Sequence, residues 1–375
     1  MDTRAYKDTS DRVSLLGFGC MRLPVVGGNQ KRIDVGKARE MVDFALARGV
    51  NYFDTAYPYH MGTSESFVGE ALGQYSRESF FLATKMPLFS VKQQRDVGRF
   101  FREQLKRCRT DYFDFYLMHS VNEELLAIAE QFDVYGFLKR KQEEGVIRRL
   151  GFSFHGGTEL LQRLVDRYAF DFAQIQLNYV DWELQDARRQ YEILTAKGIP
   201  VIVMEPVRGG ALAALNDAAR EVLRAADSQV SPASWALRYC ASLPNVLCVL
   251  SGMSTMEQLR DNVATFSGFQ PLSAAEYDVV GRALAAYRSK GAVPCTACGY
   301  CMDCPSGVDI PRVFGLYNEW RMTGDKISYS IGLEQLGEGK HAGCCTDCGQ
   351  CVELCPQGIP VPERLKEIER LVRGN

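Results

Sequence analysis

Three residues in the first third of the chain could act together: Asp54 in Asn51-Tyr-Phe-Asp54, Lys85 in Ala83-Thr-Lys85 and His119 in Tyr116-Leu-Met-His119. Each closes a short apolar run, and three such runs side by side would aim an acid, a lysine and an imidazole into one opening. Singly, each has a plainer role: a helix cap, a solvated ammonium, a satisfied core histidine. All three plain readings would have to hold at once. A second concentration of chemistry lies at the other end of the chain. Of thirteen cysteines, Cys20, Cys108, Cys240 and Cys248 precede residue 295, and nine fall between Cys295 and Cys355. In a reducing compartment such crowding argues for metal ligation rather than disulfides.

The elements that must position these groups are legible. Between residues 13 and 265, eight apolar runs alternate with amphipathic segments, the pattern of βα units around a parallel sheet. The runs are Leu15 to Gly19, Asn51 to Asp54, Phe80 to Lys85, Phe113 to His119, Ile147 to Ser153, Phe172 to Leu177, Pro200 to Glu205 and Val246 to Ser251. Between them Met41, Val42, Ala45 and Leu46 share one helical face, as do Val97, Phe100, Phe101, Leu105 and Cys108, and these are core stripes. No G-x-G-x-x-G follows the first run, so eight units predict a closed (β/α)8 TIM barrel rather than an open dinucleotide-binding sheet. Polar residues recur at the run ends, Asp54, Lys85, His119, Ser153, Glu205 and Ser251, on the rim where such barrels carry chemistry. A last helix from Ala274 to Ser289 precedes the tail. The expected division is a barrel over 1–290 and a small, mainly α-helical, ferredoxin-like iron-sulfur domain over 291–375.

Phe53-Asp-Thr-Ala-Tyr-Pro-Tyr59, then Gly62-Thr-Ser-Glu65 and Gly69-Glu-Ala-Leu72, resembles the signature of aldo-keto reductases, with the lysine and histidine on the expected later strands. The similarity runs from Gly17-Phe-Gly-Cys-Met-Arg22 to Asn262. It implies that Tyr59 is a general acid, with Asp54, Lys85 and His119 around it. The chemistry suits those types: a phenol with a pKa near 10 needs a nearby cation to release its proton to a developing alkoxide at neutral pH. Asp54 would hold the ammonium, and His119 would orient the carbonyl and donate to its oxygen. Tyr57 is the rival phenol, expected as a hydrophobic wall of the pocket. His60 and His155 are expected at exposed loop positions.

The resemblance also implies a nicotinamide cofactor, NADP(H) or NAD(H), and a small carbonyl or alcohol substrate. Its carboxamide would lie near Ser153 and Gln174. Ser251-Gly-Met-Ser254-Thr-Met-Glu-Gln258-Leu-Arg-Asp-Asn262 resembles the segment that grips the adenosine end, implicating Ser254, Gln258 and Asn262, with Arg260 either a phosphate ligand or a solvated residue. Arg208, Gly209 and Gly210 sit where a loop would close over the pyrophosphate. Phe154 replaces the family's asparagine after the fifth-strand serine, and Met204 stands where an aromatic ring often stacks on the nicotinamide.

The tail carries Cys295-x2-Cys298-x2-Cys301-x2-Cys304-Pro and Cys345-x2-Cys348-x2-Cys351-x3-Cys355-Pro. The second has the bacterial ferredoxin spacing and the first is one residue shorter, which predicts two [4Fe-4S] clusters. Exchange of the fourth ligand, as in two-cluster ferredoxins, would place Cys295, Cys298, Cys301 and Cys355 on one cluster and Cys345, Cys348, Cys351 and Cys304 on the other. Cys304-Pro-Ser-Gly-Val-Asp-Ile-Pro311 echoes Cys355-Pro-Gln-Gly-Ile-Pro-Val-Pro362, an internal repeat. Val313, Phe314, Tyr317, Trp320 and Arg321 follow helical spacing, and Arg364 to Arg373 reads as another helix. Zinc is the alternative metal, but four cysteines in one tight run ending in Pro fit it poorly. Cys344 reads as a spare thiol, and Cys20 stays open as a site residue.

A net charge of −2 gives no whole-protein attraction to nucleic acid or an anionic membrane. The N-terminal stretch lacks the apolar core of a secretion signal, and no run of ~18 apolar residues could span a bilayer, so the expected location is cytoplasmic. Two functions remain in play: a carbonyl-reducing enzyme whose clusters transfer electrons or support the fold, and a nicotinamide-binding redox sensor or electron-transfer docking module with little turnover. Both admit an electron-transfer protein as partner.

Overall fold

The structure is a computed structural model that describes residues 1–7, 9–288, 293, 295, 301–323, 326–355 and 359–373. A short antiparallel hairpin, β1 (Thr3–Ala5) and β2 (Arg12–Ser14), comes first. Eight parallel strands then close into a barrel: β3 (Leu16–Gly19), β4 (Tyr52–Asp54), β5 (Phe81–Met86), β6 (Phe113–Val121), β7 (Ile147–Phe154), β8 (Phe172–Gln176), β9 (Val201–Met204) and β10 (Val246–Gly252), in the order β10-β3-β4-β5-β6-β7-β8-β9. Every apolar run read from the sequence is a barrel strand, with ends shifted by one or two residues. The strands are buried on both faces, which is why they read as continuous apolar runs rather than as alternations.

The hairpin was not foreseen. It lies at the N-terminal end of the barrel strands, where the Tyr6 hydroxyl donates to the Asp171 carbonyl just before β8 (3.0 Å) and Ser14 N donates to Asn51 Oδ1 just before β4 (2.8 Å). Tyr6 and Val13 plug that end, packed with Tyr52, Phe115, Phe172, Ile202 and Cys248 in the interior. Gly17 leaves the room this packing needs: a Cβ there would lie 2.5 Å from Leu250 and 2.7 Å from Cys248 Sγ. With one end filled, chemistry is confined to the other rim.

Helices α1 (Val35–Ala47), α2 (Ser64–Leu72) and α3 (Gln94–Cys108) follow β3, β4 and β5. The foreseen stripes are their buried faces, Met41, Val42 and Ala45 on α1 and Val97, Phe100, Phe101 and Cys108 on α3, with Leu46 and Leu105 half-buried at their edges.

By compactness the chain divides into Met1–Gly209 with Ala233–Ser273, and Gly210–Pro232 with Ala274–Asn375. The first unit holds the barrel strands. In the second, helices Ile310–Thr323, Lys326–Leu336 and Val361–Arg373 surround a core of Val308, Ile310, Val313, Phe314, Tyr317 and Leu365. Helix Ala274–Arg288 begins where expected, Ser289 lies outside the described residues, and the helix belongs by compactness to this unit rather than to the barrel. No helix among the described residues is long and apolar enough to cross a membrane.

Candidate active site and cysteine cluster

Asp54 ends β4 and Lys85 lies near the end of β5; the register sets Asp54 opposite Ala83, so the two side chains enter the barrel mouth together. Lys85 Nζ donates to Asp54 Oδ1 at 2.6 Å, to the Thr55 carbonyl at 2.9 Å and to the Tyr59 hydroxyl at 3.3 Å. The ammonium is fully buried, so all three of its donors are used within the protein. Tyr59 begins a short 3-10 turn, Tyr59–Gly62, and its ring stands edge-on to His119 with centroids 6.1 Å apart. The structure thus brings together the four residues named from the sequence. Tyr57 does not compete: its ring packs on Phe100 and on the Arg107 guanidinium, and its hydroxyl reaches Glu103 at 3.4 Å. It is a contact with α3 and does not line the catalytic cavity, contrary to the expectation of a pocket wall.

The electrostatics follow from burial. Burial pulls the Lys85 pKa down, but Asp54 and Tyr59 outweigh it and hold the lysine above its ordinary range. Burial raises the Tyr59 phenol, Lys85 pulls it back, and Asp54 adds to the rise. Burial, then the Lys85 charge and His155, keep His119 well below the usual histidine range, so its ring is neutral at pH 7. His119 Nδ1 and Asp54 Oδ2 are buried with no hydrogen-bond partner among the described residues.

Ser153, one residue before the end of β7, stands beside Gln174 of β8 in register. Ser153 Oγ accepts from Ser120 N at 2.8 Å, leaving its proton free, and Gln174 Oε1 is buried without a partner. An orphan acceptor beside a free hydroxyl fits a primary carboxamide, which both donates and accepts. Met204 lies against Gln174, its sulfur 3.7 Å from Nε2. Arg208 is anchored through Nε to buried Asp181 (3.2 Å), next to Gly209 in a left-handed turn at φ 65°. Ser254, Gln258 and Asn262 gather around helix Met256–Thr265. Ser254 N donates to Gln258 Oε1 (2.8 Å), Ser254 Oγ donates to the Arg22 carbonyl (2.7 Å), and Asn262 Nδ2 donates to Ser251 Oγ (3.0 Å). Arg260 rests over the Phe44 ring.

In the tail Cys351 is buried, Cys295, Cys301, Cys304, Cys345 and Cys355 are half-buried and Cys348 is exposed, and all are free thiols. Cys298 lies outside the described residues. All the described cysteines of the two runs except Cys348 are members of the helical core or pack against it. Burial raises the Cys351 thiol and Cys345, Cys348 and Cys304 push the same way, so these four are electrostatic neighbours. Among the described residues no three His, Cys, Asp or Glu side chains close on a single ion position. A cubane takes one thiolate on each of four irons, and the grouping of Cys304, Cys345, Cys348 and Cys351 supplies that donor chemistry. Cys344 Sγ sits 3.4 Å from His341 Nε2.

Residues 15–284 match the family model for the aldo/keto reductase family. The chain belongs to that family. Residues 294–359 of this reductase match a 4Fe-4S dicluster domain. An uncharacterized oxidoreductase of Bacillus subtilis (strain 168), YqkF, is 28% identical over 288 residues, covering 68% of this chain and 88% of that protein. The L-galactose dehydrogenase of Arabidopsis thaliana is 28% identical over 295 residues, 72% of this chain and 90% of its own. Among solved structures, the holo form of the aldo-keto reductase AKR11C1 from Bacillus halodurans superposes with a TM-score of 0.61 at 27% identity, covering 76% of this chain and 96% of that one. The protein is therefore an NAD(P)-dependent oxidoreductase with a 4Fe-4S domain appended to its barrel.

Three supports of the reductase site rest on partners that spacing along the sequence does not reveal. Behind Lys85, buried Glu65 accepts from Thr84 Oγ1 (2.7 Å) and Gln104 Nε2 (2.6 Å), and that same amide nitrogen lies 3.0 Å from the Lys85 carbonyl. Asp181 also accepts from Asn178 (2.6 Å) and Gln176 (2.9 Å), so it holds Arg208 from a fixed base. His60 is buried, not an exposed loop residue as its neighbourhood of polar and turn residues suggested. Its ring nitrogens are taken by Leu23 N (3.1 Å) and the Gln30 carbonyl (2.8 Å), partners 37 and 30 residues away. His155 is exposed as expected.

Proposed function

We propose that the enzyme moves a hydride between NAD(P)H and an aldehyde or ketone, with Tyr59 as proton donor to the carbonyl oxygen. The observation that carries this is the Lys85 ammonium placed between Asp54 and the Tyr59 hydroxyl, at 2.6 and 3.3 Å. A cation beside the phenol stabilises the phenolate that proton transfer leaves behind, and Asp54 fixes that cation in place. Neutral His119 has one N–H to give to the same oxygen. The nicotinamide, when bound, supplies the hydride. Ser153 and Gln174 would hold its carboxamide, Arg208 and Gly209 would cover the pyrophosphate, and Ser254, Gln258 and Asn262 would take the adenosine end.

The tail would hold two [4Fe-4S] clusters, on Cys295, Cys298, Cys301 and Cys355 and on Cys345, Cys348, Cys351 and Cys304. A hydride carries two electrons and each cluster passes one, so direct exchange would need a species that splits the pair. The clusters then serve an electron-transfer partner or support their own module. The functional division is drawn at residue 290, and the crowded thiols suit a reducing compartment such as the cytosol.

The test is anaerobic purification with iron and sulfide counting, followed by single-turnover oxidation of bound NAD(P)H by an aldehyde panel in the parent and in Tyr59→Phe. Two cubanes' worth of iron and sulfide, and a loss of at least about 100-fold in Tyr59→Phe, support the reading. A zinc-loaded, colourless protein overturns the cluster assignment. Unchanged turnover in Tyr59→Phe overturns the catalytic one.

A further inference from the structure

Strand β5 outruns its neighbour. The β4–β5 register ends at Asp54 opposite Ala83, whereas β5 continues to Met86. The Ala83 carbonyl accepts from Thr55 N at 2.9 Å. Two residues on, the Lys85 carbonyl faces the same edge, and β4 has already stopped there. A buried carbonyl in that position needs a donor from elsewhere. The stretch of strand that lacks one carries the catalytic lysine on its inner face.

The donor comes from the helix layer. Gln104 of α3 sets its Nε2 3.0 Å from the Lys85 carbonyl, 3.1 Å from Thr84 Oγ1 and 2.6 Å from Glu65 Oε1 on α2. Glu65, Thr84 and Gln104 are all fully buried. Thr84 alternates with Lys85 along the strand, so its side chain faces these helices, and its hydroxyl donates to Glu65 Oε1 at 2.7 Å. The direction of the amide is forced: the Lys85 carbonyl and the Glu65 carboxylate only accept, so the NH2 must face them. The amide oxygen, turned the other way, accepts from the Tyr116 hydroxyl of β6 at 2.5 Å.

Burial raises the Glu65 carboxyl, and Gln104, Thr84 and Arg107 pull it back, the Arg107 guanidinium lying 3.4 Å from Oε2. A hydrogen bond to an ionised acceptor is roughly twice as strong as one between neutral groups, so the carboxylate is the firmest hold on the amide. From the same backbone that Gln104 holds, the Lys85 side chain reaches Asp54 and Tyr59. A shift of that peptide is therefore passed on to the ammonium.

We propose that Glu65 and Gln104 are positioning residues for the proton transfer: Gln104 supplies the hydrogen bond that β4 stops short of giving, and Glu65 fixes the direction of its amide, which keeps the Lys85 ammonium beside the Tyr59 hydroxyl. Neither residue lines the cavity that contains Tyr59 and His119, so both act through Lys85. The proposal rests on the carbonyl-reductase reading above and extends its proton-donor site outward into the helix layer.

The experiment measures kcat and KM for propanal, benzaldehyde and phenylacetaldehyde with NAD(P)H in the holoenzyme, in Glu65→Gln, in Gln104→Met, and in each of these combined with Lys85→Met. Glu65→Gln should lower kcat by at least about threefold, the cost of the ammonium drawing back by about 1 Å from a half-charged phenolate at an effective dielectric of about 20. Gln104→Met should lower it further, and KM for the aldehyde should hold in both. In the Lys85→Met background neither substitution should lower kcat again, because the lysine is their route to the phenol. A merely structural role would cost as much there as in the parent. Glu65→Gln is nearly isosteric; should circular dichroism show that it does not fold, Gln104→Met carries the test, and loss of folding in both would make the pair structural and overturn the proposal. Folded variants that keep the parent's kcat, or that lose as much without Lys85 as with it, overturn the proposal and leave the carbonyl-reductase reading standing. No turnover of any of the aldehydes by the parent overturns both.

Discussion

Replacing Lys85 with Met keeps the apolar stem and deletes the charge on which the site turns. In the structure that charge lies 3.3 Å from the Tyr59 hydroxyl. At an effective dielectric of about 20, a unit charge at that distance stabilises a phenolate by roughly 5 kcal/mol. The transition state carries part of the phenolate charge; at about half, the loss is roughly 2.5 kcal/mol, on the order of 70-fold in kcat. Cofactor affinity should stay near the parent's, because no residue assigned to the cofactor is removed. A separate cost falls on folding, since Asp54 is buried and loses its partner; breaking such a pair from one side destabilises by about 3–5 kcal/mol. The double variant Asp54→Asn with Lys85→Met removes that unpaired charge and isolates the catalytic loss. The assay is single-turnover oxidation of bound NAD(P)H, with circular dichroism as the folding control. A folded Lys85→Met enzyme that keeps kcat within about threefold of the parent would refute the role given to the ammonium.

Three further outcomes follow from geometry and charge. His119 is held neutral well below the ordinary histidine value, and burial lifts Tyr59 above the ordinary phenol value, so kcat/KM for carbonyl reduction should run flat through about pH 6.5 and fall only above about pH 10. An acid limb centred on the ordinary histidine value in the pH–rate profile would contradict this. The sign for stability is equally definite: the unfolded chain binds the His119 proton where the folded chain does not, so this histidine's contribution is fully present above about pH 6.5 and is lost as pH falls toward its folded value. Gly69→Ala should loosen the packing of α2 on α3, because the added Cβ would lie 2.5 Å from the Arg107 carbonyl oxygen and 2.6 Å from the Cys108 carbonyl carbon, both backbone atoms. A loss of about 1–3 kcal/mol in urea unfolding is expected, and an unchanged midpoint would show that the helices do not approach so closely.

The residues that could be placed from the sequence are those whose constraint is local. A buried parallel strand must be apolar on both faces, so β3 to β10 stood out as runs, and each run's last polar residue is on the rim by construction. Candidate cluster ligands within one run are marked by spacing along the backbone, which is why Cys345, Cys348 and Cys351 read as a set. The spacing from Asp54 favoured Tyr59 over Tyr57 as the phenol beside the lysine; in the structure the Tyr59 hydroxyl meets the lysine and the Tyr57 hydroxyl meets Glu103 on α3.

What escaped was set by partners distant in the chain. Strands β1 and β2 are three residues each and have no pattern of their own; they exist because the barrel end offers Asn51 and the Asp171 carbonyl to bond them. His60 looked like a loop residue, and its burial depends on Leu23 and Gln30 arriving from another loop. Likewise Glu65 and Gln104, on two different helices, meet behind Lys85 only once α2 and α3 have packed on the barrel. The sequence by itself determined the barrel strands and the thiol runs, because periodicity and spacing act over a few residues, and its resemblance to a known family pointed to Asp54, Tyr59, Lys85 and His119 as a set. The tertiary structure alone decided which buried polar groups find partners and which, like Gln174 Oε1 and His119 Nδ1, are left open to a ligand, because a hydrogen bond depends on ångströms in space rather than on distance along the chain.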